Sequence, residues 1–202
     1  MKLYYSPGAC SLSPHIALRE AGLQFELEKV DIRSKRLADG SDYLQLNGKG
    51  SVPLLKLDDG RYLTEGPAIV QYIADRKPES GLAPANGTYE RYKVQEWLNF
   101  ISTELHKQYS PLFNPAIADE VKKLSRANIT KRLEWLAQQL EGRSFLTGEQ
   151  FTVADGYLFV ILNWSRITDV DLSPWPVLGK FVERVATRPK VQEALKAEGL
   201  VK

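Results

Sequence analysis

The 202-residue chain contains one cysteine, Cys10, and only two histidines. A lone cysteine cannot form a disulfide within the chain, and scarce cysteine is typical of proteins from reducing compartments. No apolar run approaches the roughly 20 residues that a membrane-spanning helix needs, and the first residues lack the apolar core of a signal peptide. The sequence therefore predicts a cytoplasmic protein with no membrane partner.

A strong charge of either sign is also missing. The 27 Lys and Arg residues nearly balance the 25 Asp and Glu residues, which leaves a net charge of +2. Proteins that bind nucleic acid use a basic surface to contact the phosphates. The charge balance therefore predicts that no nucleic acid is a partner. No metal site is predicted either.

Two halves of different texture meet in a stretch rich in Pro, Gly and Asn. We predict an N-terminal domain over residues 1–77, a linker over 78–87 and a second domain over 88–202. The first half has short strand-like runs that alternate with helical ones, which predicts a small mixed sheet with helices, an α/β domain. Strands are expected at Lys2–Ser6, Gln24–Asp31, Leu54–Leu57 and Tyr62–Thr64, and helices at Ser11–Ala21 and Gly66–Arg76.

The second half shows helical spacing of apolar residues throughout and no convincing strand, which predicts an all-α domain. Helices are expected over Tyr89–Leu112, around Ile129–Leu140, after Thr152, and over Val177–Thr187 and Lys190–Ala197. Thr152 and Asp155 stand three residues apart before an apolar run, the spacing of a capping box. We interpret that pair as structural, not catalytic.

Cys10 lies where the first strand is expected to turn into the first helix. The N–H groups of a helix's first turn favour a thiolate and can lower the pKa of a cysteine. Cys10 is therefore a candidate reactive thiol whose redox partner would be a small external thiol. The alternative is a buried apolar filler, a frequent role of free cysteine.

Asn99, Thr103, His106 and Ser110 follow each other at spacings that place them on one face of the predicted Tyr89–Leu112 helix. Such a stripe suits the wall of a cleft, where His106 could hydrogen-bond a thiolate or move a proton near neutral pH. The alternative is an ordinary solvated helix face.

Glu65 and Gly66 stand at the start of a predicted helix. Exposed N–H groups at Gly66 would bind a carboxylate and Glu65 would bind an ammonium group, which together are the ends of an amino acid. The alternative is that Glu65 caps its own helix.

Val52 precedes Pro53, which cannot donate a ladder hydrogen bond, so we expect an open sheet edge at Val52 where an extended peptide can pair.

These motifs, in this order and spacing, resemble the bacterial beta-class glutathione S-transferases, and the likeness extends over nearly the whole chain. It looks especially similar to the members associated with aromatic and biphenyl degradation. The likeness rests on Ser6–Ser11, Leu18–Glu20, Val52–Pro53, Thr64–Gly66, Trp97–Asn99, Glu104–Lys107 and Phe151–Asp155.

The resemblance implies a thioredoxin-like domain that binds glutathione as co-substrate, a helical domain that helps to bind a small hydrophobic electrophile, and a homodimer. It makes Pro53 a cis-proline and gives Cys10 and His106 the catalytic roles, with a mixed disulfide between Cys10 and glutathione as a second chemistry. The glutathione contacts that it implies are Cys10, Lys35, Val52, Pro53, Glu65, Gly66, Asn99, Thr103 and His106.

One position departs from the family pattern, because Gly48 follows Asn47 where the family usually has proline. We expect a looser loop before Pro53, since glycine loses more conformational freedom on ordering. Two functions remain open at this stage. The first is a transferase that acts on an electrophile, among them chlorinated aromatic breakdown products, and the second is a non-catalytic binder of glutathione or hydrophobic ligands. The aromatic candidates for the electrophile pocket are Tyr109, Phe113 and Trp164.

Overall fold

The computed structural model describes residues 1–201 and divides into two compact units. The first contains Met1–Ala83 together with the C-terminal residues from Arg188 onward, and the second contains Pro84–Thr187. The predicted domains were continuous in sequence, with the last helix in the second domain. In the structure the last helix packs with the first unit. Among residues 1–201, no helix has the length and apolarity needed to cross a membrane.

The first unit contains a mixed sheet, as the sequence predicts, but with five strands where the sequence predicts four. Its strands are β1 (Lys2–Tyr5), β2 (Glu26–Asp31), β3 (Arg36–Leu37), β4 (Leu54–Lys56) and β5 (Tyr62–Thr64), in the order β3-β2-β1-β4-β5. β1 and β2 are parallel, and the remaining pairs are antiparallel. In the middle strand Leu3 pairs with Leu27 on one side and with Leu55 on the other. Leu3 and Leu55 are fully buried, so this strand anchors the core of the unit.

Residues 1–201 contain nine α-helices. In chain order they are α1 (Leu12–Glu20), α2 (Gly66–Arg76), α3 (Tyr89–Phe100), α4 (Lys107–Tyr109), α5 (Asp119–Leu140), α6 (Val153–Asn163), α7 (Ser165–Thr168), α8 (Pro176–Ala186) and α9 (Pro189–Ala197). Three of them, α1, α2 and α9, belong to the first unit, where α1 packs against both of the others. The other six form the all-helical second unit.

A π-helical segment, Ile101–His106, joins α3 to α4. Thr88 caps the start of α3 by accepting a hydrogen bond from the Arg91 N–H. Val94, Leu98 and Leu105 are buried, so the apolar face predicted for this helix is confirmed. The π segment is not predicted by the periodicity of the sequence, and such segments occur most often at functional sites.

The apolar helix α6 begins with the predicted capping box. The Asp155 carboxylate accepts hydrogen bonds from the Thr152 N–H and hydroxyl and from the Leu146 N–H, each at 2.8 Å. The carboxyl is completely buried, and its burial raises the pKa of Asp155 to about 6. The structural interpretation of this pair is therefore confirmed.

Candidate functional site

Cys10 lies in a tight loop between β1 and α1. Ser11 is fully buried and closes the loop: its hydroxyl accepts from the Ser6 N–H and donates to the Ser6 carbonyl. Gly8 takes a positive φ of 71°, a conformation that glycine adopts without strain. The helix starts at Leu12, two residues after the cysteine.

The Cys10 thiol is a hydrogen-bond donor in this structure. Its Sγ donates to the Val52 carbonyl at 3.2 Å. Burial raises the pKa of Cys10 to about 11, although nearby backbone N–H groups act in the opposite direction. The expected lowering of this pKa by the helix start is therefore wrong for the free protein, because desolvation of the charged sulfur outweighs the N–H groups.

Val52 and Pro53 lead into β4, and the peptide bond between them is cis. β4 lies between β1 and β5, but its ladder pairs begin at Leu54, so Val52 lies outside them and the open segment expected there stays a prediction. Val52 is buried and precedes the paired residues of β4. Its carbonyl is the acceptor of the Cys10 thiol, which brings two predicted site residues into direct contact.

The loop before Val52 is organised by the buried side chain of Asn47. Its amide donates to the Ser51 carbonyl at 2.8 Å, and its oxygen accepts from the Lys49 N–H at 3.2 Å. Tyr43 donates its hydroxyl to the same Ser51 carbonyl at 2.8 Å. A Cβ built on Gly48 would meet no atom within 4 Å, so no contact requires glycine there. The looser loop expected from Gly48 stays a prediction.

Lys35 also contacts this loop. Its backbone has a positive φ of 58°, and its ammonium group donates to the Gly50 carbonyl at 2.7 Å. The Lys35 side chain is thereby directed towards the segment that leads to Val52. Its predicted contact with the glycyl end of glutathione stays a prediction.

Glu65 stands before α2 with a positive φ of 69° and an exposed carboxylate. It makes no capping hydrogen bond with its side chain, so the capping alternative is wrong. Instead, its carboxylate accepts from the Lys49 ammonium at 2.6 Å, and Lys49 also donates to the Thr64 hydroxyl at 3.1 Å. Glu65 thus already binds an ammonium group. The first N–H groups of a helix have no partner within it, so the Gly66 N–H is available to an anion.

His106 lies at the end of the π segment, half-buried. Its Nδ1 is 2.6 Å from the Tyr157 hydroxyl, and the edge of its ring packs against Trp164 at 4.9 Å between centroids. Burial lowers the pKa of His106 to about 4, and the charge of Lys107 acts in the same direction. The idea that His106 changes charge near neutral pH is therefore wrong, because the ring is neutral there.

The four polar residues that were predicted to lie on one helix face do not all share it. Asn99, Thr103 and Ser110 are exposed, whereas His106 is turned towards Tyr157. A π segment closes its hydrogen bonds one residue later than an α-helix, so the spacing that predicts a shared face no longer holds across it. The Thr103 hydroxyl donates to the Asn99 carbonyl at 3.0 Å.

The aromatic residues predicted for the electrophile pocket divide into core and surface. Tyr109 is fully buried with its hydroxyl 2.8 Å from that of Ser165, and Trp164 is buried as well. Phe113 is 45% exposed and its ring meets Trp164 edge-on at 5.1 Å. Of these three candidates, only Phe113 therefore presents an apolar surface to solvent.

A buried polar network behind the Cys10 loop has no counterpart in the sequence analysis. The Glu198 carboxylate accepts from the Gly8 N–H at 2.9 Å and contacts Nδ1 of His15 at 2.8 Å. Arg19 donates its Nε–H to Nε2 of the same ring at 2.8 Å. His15 is fully buried. No motif could indicate Glu198, because 190 residues separate it from Gly8.

Family models place the chain among known proteins. Residues 8–76 match the glutathione S-transferase N-terminal domain, and residues 100–189 match the C-terminal domain of the same family. The chain is also 48% identical over 200 residues to glutathione S-transferase GstA of Escherichia coli O157:H7, with 99% of this chain and 100% of that protein covered. The chain belongs to the glutathione S-transferase family.

Solved structures of glutathione S-transferases match this fold over its full length. A ternary complex of BphK, a bacterial member, has 64% identity and a TM-score of 0.98, with 99% of this chain and all of that chain covered. A sphingomonad enzyme complexed with glutathione has 48% identity and a TM-score of 0.96, and a beta-class enzyme of Sphingomonas chungbukensis has 48% and 0.97. Each of the last two matches covers 100% of both chains.

These findings confirm the predicted fold and the predicted enzyme class. The chain has the glutathione transferase fold, with a thioredoxin-like N-terminal part and a helical C-terminal part, and glutathione is supported as its co-substrate. Within residues 1–201 no cluster of three or more His, Cys, Asp or Glu side chains is arranged to hold a metal ion.

Proposed function

We propose that this glutathione S-transferase binds glutathione along Val52 and Glu65 and transfers its sulfur, as a thiolate, to a small hydrophobic electrophile. One observation carries the proposal: Cys10 contacts the Val52 carbonyl, while Glu65, already holding an ammonium group, is close enough for its charge to raise the pKa of Cys10. We infer that a sulfur site and an ammonium site lie near each other in the first unit.

Each part of glutathione would have a matching group on the enzyme. Its cysteinyl unit would pair with the Val52 main chain beside Pro53. Its α-ammonium would replace Lys49 on Glu65, and its α-carboxylate would accept from the Gly66 N–H. Lys35 would hold the glycyl carboxylate. Each group on the enzyme has the sign or the hydrogen-bonding character that its ligand group requires.

Cys10 would act as a neutral donor, not as the nucleophile. When the cysteinyl N–H of glutathione takes the Val52 carbonyl, the Cys10 S–H loses its acceptor and can donate to the glutathione sulfur instead. A donor to the charged form stabilises it and lowers the pKa of the glutathione thiol. His106, a neutral ring, would add a second donor, with Asn99 and Thr103 as further polar contacts.

Conjugation is favoured over thiol-disulfide exchange by the state of Cys10. Exchange requires a Cys10 thiolate to attack a disulfide sulfur, with the other sulfur leaving as a thiolate. A pKa of about 11 leaves very little thiolate near neutrality. Substitution of Cys10 by alanine, which removes the donor, is thus expected to lower conjugation, and abolished disulfide reduction with intact conjugation would instead support exchange.

The electrophile would contact apolar surface of the second unit, where Phe113 is the exposed member of an aromatic cluster. Chlorinated aromatic breakdown products, which lose chloride on attack by the thiolate, belong to this class.

We also propose a homodimer. Tyr89 and Tyr92 are 72% and 59% exposed on the first turn of α3, and neighbouring exposed aromatics are typical of protein interfaces.

The decisive experiment combines retention on immobilised glutathione with conjugation of chlorodinitrobenzene. We expect retention and turnover, and His106→Ala should raise the apparent pKa of bound glutathione in an ultraviolet titration of the thiolate. Retention without turnover on any of a panel of chlorinated ring-cleavage products and disulfides would support the non-catalytic binder. Light scattering tests the dimer.

A further inference from the structure

The contact between His106 and Tyr157 is a short hydrogen bond between two packed aromatic side chains. Tyr157 is 3% exposed on α6, and its hydroxyl lies 2.6 Å from Nδ1 of His106. The two rings meet edge-on with 5.9 Å between their centroids. The Trp164 ring also packs edge-on against the His106 ring, with 4.9 Å between the centroids. The imidazole is therefore held in one orientation by three contacts within the second unit.

The length of this bond indicates which atom donates. Bonds from an N–H to oxygen are about 2.7–3.2 Å long, whereas bonds from a hydroxyl to oxygen are about 2.5–3.0 Å long, so a separation of 2.6 Å favours the hydroxyl as donor. A phenol O–H is also a stronger acid than a neutral imidazole N–H, and a bare imidazole nitrogen is the better acceptor. Both arguments make the Tyr157 hydroxyl the donor and Nδ1 of His106 the acceptor.

The other ring nitrogen is free to act on a ligand. Nε2 of His106 has no hydrogen-bond partner among residues 1–201. It is not buried either, since Ser13 Oγ is the one buried side-chain polar atom without a partner in the same part of the chain. A neutral imidazole that accepts at Nδ1 must carry its proton at Nε2.

We propose that Tyr157 is a positioning residue for His106: its O–H donates to Nδ1, which fixes the ring proton on Nε2 and presents an N–H donor to an anionic atom of a ligand. That the anion is the glutathione sulfur rests on the proposed function. The assignment of the tautomer does not, because it concerns the ligand-free protein. Without Tyr157, the ring would divide its proton between the two nitrogens and would offer Nε2 as donor only part of the time.

His15 supplies an internal reference of the opposite kind. Arg19 donates to its Nε2, so the His15 proton lies on Nδ1, where the Glu198 carboxylate accepts it. The chain has no other histidines. The imidazole ¹⁵N spectrum therefore contains two rings, with opposite tautomers expected, and a His106→Gln sample assigns them.

The test is this spectrum for the ligand-free wild type, Tyr157→Phe and Tyr109→Phe. Tyr109→Phe is the matched control, because it removes a buried hydroxyl that contacts Ser165 and not a histidine. We expect His106 in the wild type and in the control to show acceptor-type Nδ1 and N–H-type Nε2, and Tyr157→Phe to average the two shifts. An N–H-type Nδ1 in the wild type, or an unchanged His106 in Tyr157→Phe, overturns the proposal.

Kinetics then test the consequence. In Tyr157→Phe we expect kcat to fall about tenfold with little change in KM and a raised apparent pKa of bound glutathione. This is less than the 10²–10³-fold that loss of a donor costs, because the ring itself remains. An unchanged kcat and pKa would contradict the positioning role. If the wild type failed to bind glutathione, the proposed function would fail, while the ¹⁵N shifts would still decide the tautomer.

Discussion

At the residue scale, two opposing effects act on the proton of Cys10. The backbone N–H groups of Cys10 and Ser11 favour the thiolate, whereas burial and the charge of Glu65 favour the thiol, and burial is the largest. The protein thus keeps a neutral donor beside the Val52 carbonyl. Its role is closer to that of an oxyanion-hole group than to that of a reactive cysteine.

This state of Cys10 predicts slow alkylation. With a pKa of about 11, about a thousandth of Cys10 is thiolate at pH 8, against roughly a quarter for a cysteine at its ordinary pKa of about 8.5. Iodoacetamide should therefore modify the native protein at least a hundredfold more slowly at pH 8 than the urea-unfolded protein. The native rate should rise with pH up to about 11, and a plateau near pH 8 would contradict the account.

Lys49 is predicted to compete with glutathione for Glu65. Removing it in Lys49→Met frees the carboxylate, and because an exposed ion pair contributes about 0.2–1 kcal/mol, glutathione should bind up to about fivefold more tightly. Calorimetric titration measures the change. Lys77→Met is the control, since it also removes an exposed cation that pairs with a glutamate, Glu79, and it should leave the affinity unchanged. Weaker binding in Lys49→Met would instead mean that Lys49 contacts glutathione directly.

At the element scale, regular helices and strands were predictable and irregular segments were not. The α2 bounds match the prediction, since Pro67 marks the helix start. The two-residue strand β3 has too little sequence for an alternating pattern. The π segment at His106 was missed because periodicity arguments assume uniform α-helical spacing. That error matters for function, since it changes which residues share a face.

The start of α6 is predicted to be a stability determinant. Asp155→Ala leaves three donors, from Leu146 and Thr152, without their acceptor in a buried site, so the free energy of unfolding should fall by about 3 kcal/mol. Urea unfolding followed by circular dichroism measures it. Glu149→Ala, which removes an exposed carboxylate from a nearby hydroxyl contact, should cost less than about 0.5 kcal/mol. Equal losses in the two variants would contradict the capping role.

At the scale of the whole molecule, the two ends of the chain belong to one unit. The helix α9 packs on α1, and Glu198 beyond it reaches the loop that carries Cys10. The predicted second domain included these residues, because neither composition nor periodicity records which elements pack together. Contacts within a local motif, such as Thr152 with Asp155, could be predicted. Pairings across the chain, such as Glu198 with His15, could not.

Loss of Glu198 is predicted to weaken the first unit. Glu198→Ala removes the carboxylate that accepts from the Gly8 N–H and from the buried His15 ring, so we expect a loss of about 3 kcal/mol in urea unfolding and faster amide exchange at Gly8. Glu193→Ala removes an exposed carboxylate of α9 and should change stability by less than about 1 kcal/mol. Normal exchange at Gly8 in Glu198→Ala would argue against this link.

The central claim is that glutathione binds along Val52 with its ammonium group on Glu65. The most direct measurement is a crystal structure of the enzyme with glutathione bound. We predict main-chain hydrogen bonds from the cysteinyl unit to Val52, the α-ammonium within about 3 Å of the Glu65 carboxylate, and the Cys10 Sγ turned to the glutathione sulfur. A tripeptide bound elsewhere, with Lys49 still on Glu65 and Cys10 still on the Val52 carbonyl, would contradict the account.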